Sequence, residues 1–244
     1  MMKNVLVISD LHIGNGDIFD TFGWNEEEFI SSLEIIKEKE KIDLIIFNGD
    51  IFEMYKYTWN QIYEKRKRLI KYFIDNNYIL IKGNHDAISP IGQNSWEYKN
   101  VENKVIKIEH GHAADFMSGR KWGRKLQRFG FKILKNISDG IWFNKVYMKY
   151  VQINDYIHHI PKKYHTYRYL KYALFRLKKV DLIVLGHTHK VEEHKIYYLN
   201  NKKVYLNSGT CQLGRFQGLI INLEKLTYNS LKFKNYKELI RNYK

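Results

Sequence analysis

The chain has 244 residues, is 44% hydrophobic and carries a formal net charge of +15. This length can bury a full core and suits one α/β domain with an insertion. The single cysteine, Cys211, excludes a disulfide framework within the chain and favours a reducing compartment. No apolar run approaches the roughly 20 residues of a membrane span, and the first residues lack a signal-peptide pattern. We therefore expect a cytoplasmic protein without a transmembrane segment.

Strand and helix patterns alternate along the first part of the chain, and strand patterns dominate the last part. Apolar runs predict strands near 3–9, 42–47, 78–82 and 101–109, with helical patterns at about 26–40 and 59–76. Further strands are predicted near 180–185, 191–199, 203–207, 216–222 and 228–234. This order predicts an α/β fold, a four-layer α-β-β-α sandwich of mixed sheets with helices outside.

A short polar motif follows each of five apolar runs. The motifs are Asp10-Leu11-His12, Gly49-Asp50, Gly83-Asn84-His85-Asp86, His110-Gly111-His112 and Gly186-His187-Thr188-His189. Because α/β proteins place ligands at the carboxyl ends of their strands, we expect the motifs to converge at one edge. On extended backbone, residues i and i+2 point to the same side, so each D-x-H or H-x-H pair can reach one cluster. Carboxylates, imidazoles and one amide suit borderline divalent metals, which indicates a two-metal hydrolytic centre.

In their order, the motifs resemble the DxH, GD, GNHD, HG and GHTH signature of the calcineurin-like metallophosphoesterases, over the chain from Val5 to about Thr210. The resemblance implies the same layered fold and a metal-dependent phosphoesterase. It also implies that His85 faces the substrate and that Asp86 orients it. One ion would be held by Asp10, His12, Asp50 and His189, and the second by Asp50, Asn84, His110 and His187, with Asp50 bridging.

The chemistry of the residues is consistent with these roles. Two cations roughly 3.5–4 Å apart can share one hydroxide and neutralise charge on a phosphoryl group. His85 cannot easily bind the same ion as its neighbour Asn84, so it is free to donate a proton to the leaving-group oxygen. Either His110 or His112 could reach the metals; the resemblance favours His110 and leaves His112 as a substrate contact. We expect Mn²⁺, although Fe, Zn²⁺ and Co²⁺ accept the same ligands.

Most of the positive charge lies between the HG and GHTH motifs. Residues 115–180 contain 16 lysine and arginine residues against 3 acidic ones. We therefore divide the chain into a catalytic domain, 1–114 and 180–244, and a basic, aromatic-rich helical insertion, 115–179, that can cover the metal edge as a lid. Three helices are predicted: one with apolar positions from Leu126 to Ile137, one at about 142–157 and one at 164–179. The first carries a row of cations, Arg120, Arg124, Arg128 and Lys132.

The 14 aromatic residues of the insertion give it apolar contact surface as well as charge. An anionic lipid or membrane surface and nucleic acid both fit such a surface, with Arg120, Arg124 and Arg128 as substrate contacts. Alternatively, the aromatic residues only pack the insertion onto the sandwich. The insertion resembles the helical lid of UDP-diacylglucosamine pyrophosphohydrolases, a branch that usually has arginine at the position of His85.

These observations predict hydrolysis of phosphoric ester or pyrophosphate bonds. We expect a nucleotide-linked or lipid-linked anionic substrate and a cytoplasmic protein that can lie peripherally at the membrane. A general phosphatase or nuclease is the alternative within the superfamily. A non-catalytic nucleic-acid-binding or scaffold protein is the alternative of another class, and the intact set of potential metal ligands argues against it.

Overall fold

The computed structural model describes residues 3–137, 163–198 and 201–243, with positions 146, 149 and 153. The strands are β1 (Asn4–Ile8), β2 (Leu44–Asn48), β3 (Ile79–Ile81), β4 (Ser95–Lys99), β5 (Val105–Glu109), β6 (Leu182–Leu185), β7 (Val191–Tyr198), β8 (Asn201–Ser208), β9 (Phe216–Asn222) and β10 (Thr227–Phe233). The helices are α1 (Glu26–Lys39), α2 (Trp59–Asp75), α3 (Lys121–Ile137), α4 (Lys163–Leu177) and α5 (Tyr236–Tyr243).

The strands form two mixed sheets. The first has the order β10-β9-β1-β2-β3 and the second β4-β5-β6-β8-β7. In the first sheet β1, β2 and β3 run parallel, with Val5 opposite Leu44. In the second sheet β5, β6 and β8 run parallel, and the edge strands β4 and β7 are antiparallel to their neighbours. The parallel strands of each sheet therefore end at a common edge, where the polar motifs follow.

Strand β1 shows how the sequence produces the layers. Successive side chains of a strand point to opposite faces, so Val5 and Val7 pack between the two sheets, whereas Leu6 and Ile8 face the helices of the first sheet. All four are fully buried, which explains the uninterrupted apolar run of this strand. The two faces of one strand thus contribute to two separate cores.

The helices cover the outer faces of the two sheets. Phe29 of α1, Phe73 of α2 and Leu239 of α5 pack in the core cluster of the first sheet, where the Phe47 and Phe73 rings lie 4.4 Å apart. On the second sheet, α4 packs against Ile183 and Tyr205. The expected α-β-β-α sandwich is confirmed.

Local signals fix where the helices begin. The Asn25 side chain accepts hydrogen bonds from backbone N–H groups at the start of α1. Thr58 forms a capping box with Gln61 at the start of α2. No helix among the described residues is long and apolar enough to cross a membrane.

The structure differs from the sequence prediction at two places. The strand expected near 101–109 is the second arm of a hairpin, because the Asn100 side chain accepts from the N–H groups of Glu102 and Lys104 and holds a turn there. The C-terminal helix α5 was not predicted. Helices α3 and α4 agree with the first and third helices expected in the insertion, and the second, at about 142–157, lies outside the continuously described residues.

Helix α3 contacts the loop that follows β2. The Tyr55 hydroxyl donates to Gln127 Oε1 at 3.1 Å, and the Tyr55 ring stacks on Phe131 with centroids 5.9 Å apart. Lys135 Nζ lies 3.1 Å from Asp17 Oδ2. The apolar stripe of α3 is exposed instead of packed on the sandwich. The exposed fractions of Trp122, Leu126, Phe129 and Ile133 are 49%, 55%, 62% and 40%.

Candidate metal centre

The polar motifs converge at the carboxyl ends of the parallel strands. Among the residues that the structure describes, three overlapping groups of potential ligand atoms form there, and the atoms within each group lie within 4.8 Å of one another. The groups are Asp10, His12 and His189; His12, Asp50 and His85; and Asp50, His110 and His187. His12 and Asp50 each belong to two groups, so the ligand atoms form one continuous cluster.

Left-handed backbone aims several of these side chains. Asp10, His12 and Asp50 have φ values of 54°, 51° and 49°, and His187 and His189 have 69° and 57°. The D-x-H and H-x-H pairs do converge, as the sequence predicts. The expected cause, an extended backbone, is wrong, because these residues have left-handed backbone. The strands end before the motifs, which form tight loops. Hydrogen bonds connect these loops, such as the one from Asp10 N–H to the Gly49 carbonyl at 3.0 Å.

Two glycines allow the close packing of the ligand loops. A Cβ atom at Gly83 would lie 2.1 Å from Asp50 Oδ1, and one at Gly49 would lie 2.4 Å from the His110 ring. Gly49 also has a φ of +85°, which favours glycine. Glycine at these two positions therefore permits the close approach of the backbones.

The tautomer of His110 follows from its partner. His110 Nδ1 lies 2.7 Å from the Asn48 carbonyl oxygen, which can only accept, so Nδ1 carries the proton. Nε2 then faces Asp50 Oδ2 at 3.2 Å. This arrangement is typical of a metal-ligating histidine. The His112 ring lies 5.6 Å from the His110 ring, outside the ligand groups, which favours His110 over His112 as the ligand.

The centre is electrostatically matched to positive charge. Burial raises the pKa of Asp10, but His189 and His110 outweigh it and lower this pKa to about 2. Burial lowers the pKa of His110, but Asp50 and Asp10 outweigh it and raise this pKa to about 10. The two buried carboxylates thus favour the protonated, positively charged form of the buried imidazole. A metal cation would neutralise the same negative charge.

Unpaired polar atoms provide a test of whether metal ions fit. Buried polar atoms in proteins are nearly always hydrogen-bonded. Here three residues expected to bind metal each have a buried polar atom without a hydrogen-bond partner. These atoms are His12 Nε2, Asn84 Oδ1 and His187 Nδ1. The donor set and its orientation therefore fit divalent metal ions.

Glu53 is a site residue that the sequence interpretation missed. Its side chain is 2% exposed; Oε1 lies 2.7 Å from His85 Nδ1, and Oε2 lies 3.3 Å from His12 Nδ1. Burial raises the pKa of Glu53, but His85 and Lys56 hold it well below its usual range. The ionised carboxylate accepts from both rings, so each ring turns its Nε2 towards the centre.

Asp86 does not have the expected contact. Its carboxylate accepts hydrogen bonds from the backbone N–H groups of Gly83, Ile51 and Phe52. It therefore connects the GNHD loop to the loop after Asp50. Glu53 makes the contact with His85 that was assigned to Asp86, because the chain turns back after Asp50 and brings Glu53 alongside the imidazole.

The predicted substrate-binding arginines separate into two sets. Arg124 donates to the Ser118 carbonyl at 2.8 Å, and Arg128 lies over the Tyr55 ring at 5.9 Å, so both belong to the part of α3 next to the centre. Arg120 instead lies over the exposed Phe116 ring at 4.3 Å. The pKa of His112 is lowered to about 4, mainly by burial and by the neighbouring His110. Arg124 makes a smaller contribution in the same direction.

The fold and the ligand cluster are those of a metal-dependent hydrolase with an α-β-β-α sandwich. A family model described as calcineurin-like phosphoesterase matches residues 3–191, and the chain belongs to this family. It is therefore a phosphoester hydrolase with a candidate divalent-metal site.

Several solved structures resemble the chain. They include an archaeal phosphodiesterase (14% identity, 94% of this chain and 99% of that chain covered, TM-score 0.42), a dimetal phosphatase from Danio rerio (9%, 96%, 99%, 0.44) and Vps29 from Entamoeba histolytica complexed with zinc (14%, 95%, 99%, 0.43). No curated protein matches the chain. The family assignment rests on the family model alone.

Proposed function

We propose that the protein hydrolyses phosphoric ester or pyrophosphate bonds with two divalent metal ions held by the clustered ligands. The observation that carries this proposal is the set of unpaired buried ligand atoms. Asp10, His12 and His189 would hold one ion, and Asn84, His110 and His187 the second, with Asp50 between them. When bound, two such ions would activate water and neutralise charge on the phosphoryl oxygens.

His85 is the proposed proton donor to the leaving group. Its backbone N–H donates to Asp50 Oδ1 at 2.8 Å, which fixes the loop, and Glu53 holds its Nδ1. Nε2 is then the ring nitrogen that can face a substrate oxygen. The side chain is 17% exposed, so it lies at the boundary between the buried ligands and the solvent-accessible side of the centre.

We expect a lipid-linked or nucleotide-linked anionic substrate. Arg124 and Arg128 supply positive charge beside the centre, and the exposed apolar stripe of α3 lies on the same helix. A helix that carries cations and exposed aromatic residues suits an anionic amphiphile at a membrane surface. Mn²⁺ is the proposed metal, and the predicted cytoplasmic location is consistent with the single cysteine.

The central test is hydrolysis of an aryl phosphate ester with added Mn²⁺, together with metal analysis of the purified protein. Wild type should bind two ions. Asp50→Ala should remove most activity and bound metal while circular dichroism remains unchanged, and Asp43→Ala, a carboxylate remote from the centre, is the control. Wild-type turnover in folded Asp50→Ala would contradict the mechanism.

The role of His85 needs a separate test. His85→Ala should keep both ions and lose roughly 10²- to 10⁴-fold in rate on esters with poor leaving groups, because general acid catalysis is removed. Activated aryl esters should lose less. If the variant instead loses a metal ion, His85 is a ligand and the proposed role is wrong.

The substrate is tested with a panel of phosphomonoesters, nucleotide pyrophosphates, phospholipids and single-stranded nucleic acid. Preference for a lipid-linked or nucleotide-linked pyrophosphate would support the proposal. Equal turnover of all small phosphomonoesters would favour a general phosphatase, and cleavage of the nucleic acid would favour a nuclease.

A further inference from the structure

Tyr55 lies between the metal centre and helix α3. It is 1% exposed, and its ring stacks on the His85 imidazole with centroids 4.1 Å apart and planes at 29°. Phe131 of α3 stacks on Tyr55 at 5.9 Å. The Phe131 and His85 centroids are 6.4 Å apart, so the three rings form one cluster between the centre and the helix.

A chain of hydrogen bonds runs alongside these rings. Asn84 Nδ2 donates to the Tyr55 hydroxyl at 3.5 Å, and this hydroxyl donates to Gln127 Oε1 at 3.1 Å. Gln127 Nε2 in turn donates to Ser118 Oγ at 3.5 Å. Each group is thus a donor to the next, and the chain ends in the segment that leads into α3.

The direction of this chain decides which atom of Asn84 faces the metals. A tyrosine hydroxyl has one proton, and here Gln127 Oε1 accepts it. The hydroxyl therefore offers only a lone pair to Asn84, which selects its Nδ2–H group. Asn84 Oδ1 then points away from Tyr55, and it is buried without a hydrogen-bond partner, as a metal-facing oxygen would be.

We propose that Tyr55 is a positioning residue that fixes the amide of Asn84 with its oxygen towards the second metal ion, and that Gln127 sets this orientation from α3. The inference rests on the proposed two-metal function. It means that docking of α3 and assembly of the second metal site are coupled through one hydroxyl group. When α3 moves away from Tyr55, the hydroxyl proton can turn to Asn84 and bond its Oδ1. The amide is then flipped, and its Nδ2–H group faces the metal site, where it repels a cation.

The test uses Tyr55→Phe, which removes the hydroxyl and keeps the ring contacts, and Gln127→Leu, which removes the acceptor on α3. Calorimetric titration with Mn²⁺ should show affinity for one of the two ions reduced about 10- to 100-fold in each variant, the range for loss of a partner that orients a ligand. Excess Mn²⁺ should restore turnover, since Asn84 remains present. Tyr98→Phe, which removes a hydroxyl bonded to Glu224, is the matched control.

The double variant shows whether one path is involved. Because both changes break the same chain, the loss of affinity in Tyr55→Phe/Gln127→Leu should not exceed that of the weaker-binding single variant. A Mn²⁺-dependent shift in Tm provides a second readout, smaller in the variants than in wild type. A merely structural role of the hydroxyl would lower Tm without metal and leave the Mn²⁺ affinity unchanged.

The outcomes separate this inference from the proposed function. Wild-type affinity for both ions in Tyr55→Phe would refute the role of the hydroxyl. A weakened Tyr55→Phe beside an unchanged Gln127→Leu would refute the coupling to α3. If wild-type protein binds fewer than two ions, the proposed function fails and the inference falls with it. If Tyr55→Phe does not fold, Gln127→Leu, on the partly exposed side of α3, decides the question.

Discussion

The exchange of Glu53 for glutamine should disturb two histidines at once. The Glu53 carboxylate has acceptor oxygens for both His85 Nδ1 and His12 Nδ1, at 2.7 and 3.3 Å, and Oε2 also lies 3.6 Å from Lys56 Nζ. A glutamine side chain has the same shape but only one acceptor oxygen. Its NH₂ group must therefore face one of the imidazole N–H groups, and that ring must change tautomer or turn. A protonated Nε2 on His12 could no longer bind a metal.

The magnitude follows from the lost contact. A hydrogen bond to a charged group contributes about 1.5–3 kcal/mol, which corresponds to roughly 10- to 150-fold in an equilibrium or rate constant. We therefore expect Glu53→Gln to lose about that factor in Mn²⁺ affinity, in turnover, or in both.

Calorimetric Mn²⁺ titration and hydrolysis of an aryl phosphate, measured on the same preparation, check this expectation. Glu26→Gln is the matched control, because Glu26 pairs with Arg66 near the start of α1. If Glu53→Gln binds both ions and turns over within about twofold of wild type, then Glu53 only anchors Lys56, and the argument from tautomers is refuted.

Three further variants test other parts of the structure. Gly83→Ala would place a Cβ 2.1 Å from Asp50 Oδ1, so bound metal and activity should fall at least about 10-fold by elemental analysis and assay; wild-type metal content would contradict the packing argument. Phe47→Ala removes a fully buried ring and should cost about 3–5 kcal/mol in urea unfolding, and a cost below about 1 kcal/mol would show that the core collapses to fill the space. Arg124→Gln/Arg128→Gln should weaken cosedimentation with anionic vesicles by about 1 kcal/mol per charge and flatten its salt dependence, whereas unchanged binding would remove these arginines from the proposed substrate surface.

The positions of the proposed ligands could be predicted from the sequence because each follows a local signal. A buried strand produces an unbroken apolar run, and the residue that ends the run is fixed in space by the sheet. Asp10, Asp50, Asn84 and His187 all follow such runs, so pattern and position agree.

Glu53 and Tyr55 could not be predicted in this way, since their partners lie far along the chain. Glu53 bonds His85 across 32 positions, and Tyr55 bonds Gln127 across 72. Their roles appear only after the loop following β2 has folded back. The orientation of α3 on the sandwich could not be predicted either. Helical periodicity identifies an apolar stripe, but it does not show which surface the stripe packs against.

Hairpin β4–β5 is an intermediate case. Trp96 and Tyr98 alternate with polar residues, which is a strand pattern, and their rings stack at 5.8 Å. The turn at Asn100 lacks glycine and proline, so the sequence predicts the strand near 101–109 and no separate β4. The turn is stabilised by the Asn100 side chain, and an asparagine in a sequence is only a weak indication of a turn.

The left-handed backbone at five of the proposed ligands connects this protein's lifetime to the supply of divalent metal. Non-glycine residues in that region each cost on the order of 1–3 kcal/mol, and the cost is carried whether or not an ion is present. Bound ion at 100 times its dissociation constant returns about 2.7 kcal/mol of stability. In a metal-starved cell the folded fraction should therefore fall, and chaperones and proteases would remove the chain. The amount of this hydrolase would then follow the metal on which its activity depends.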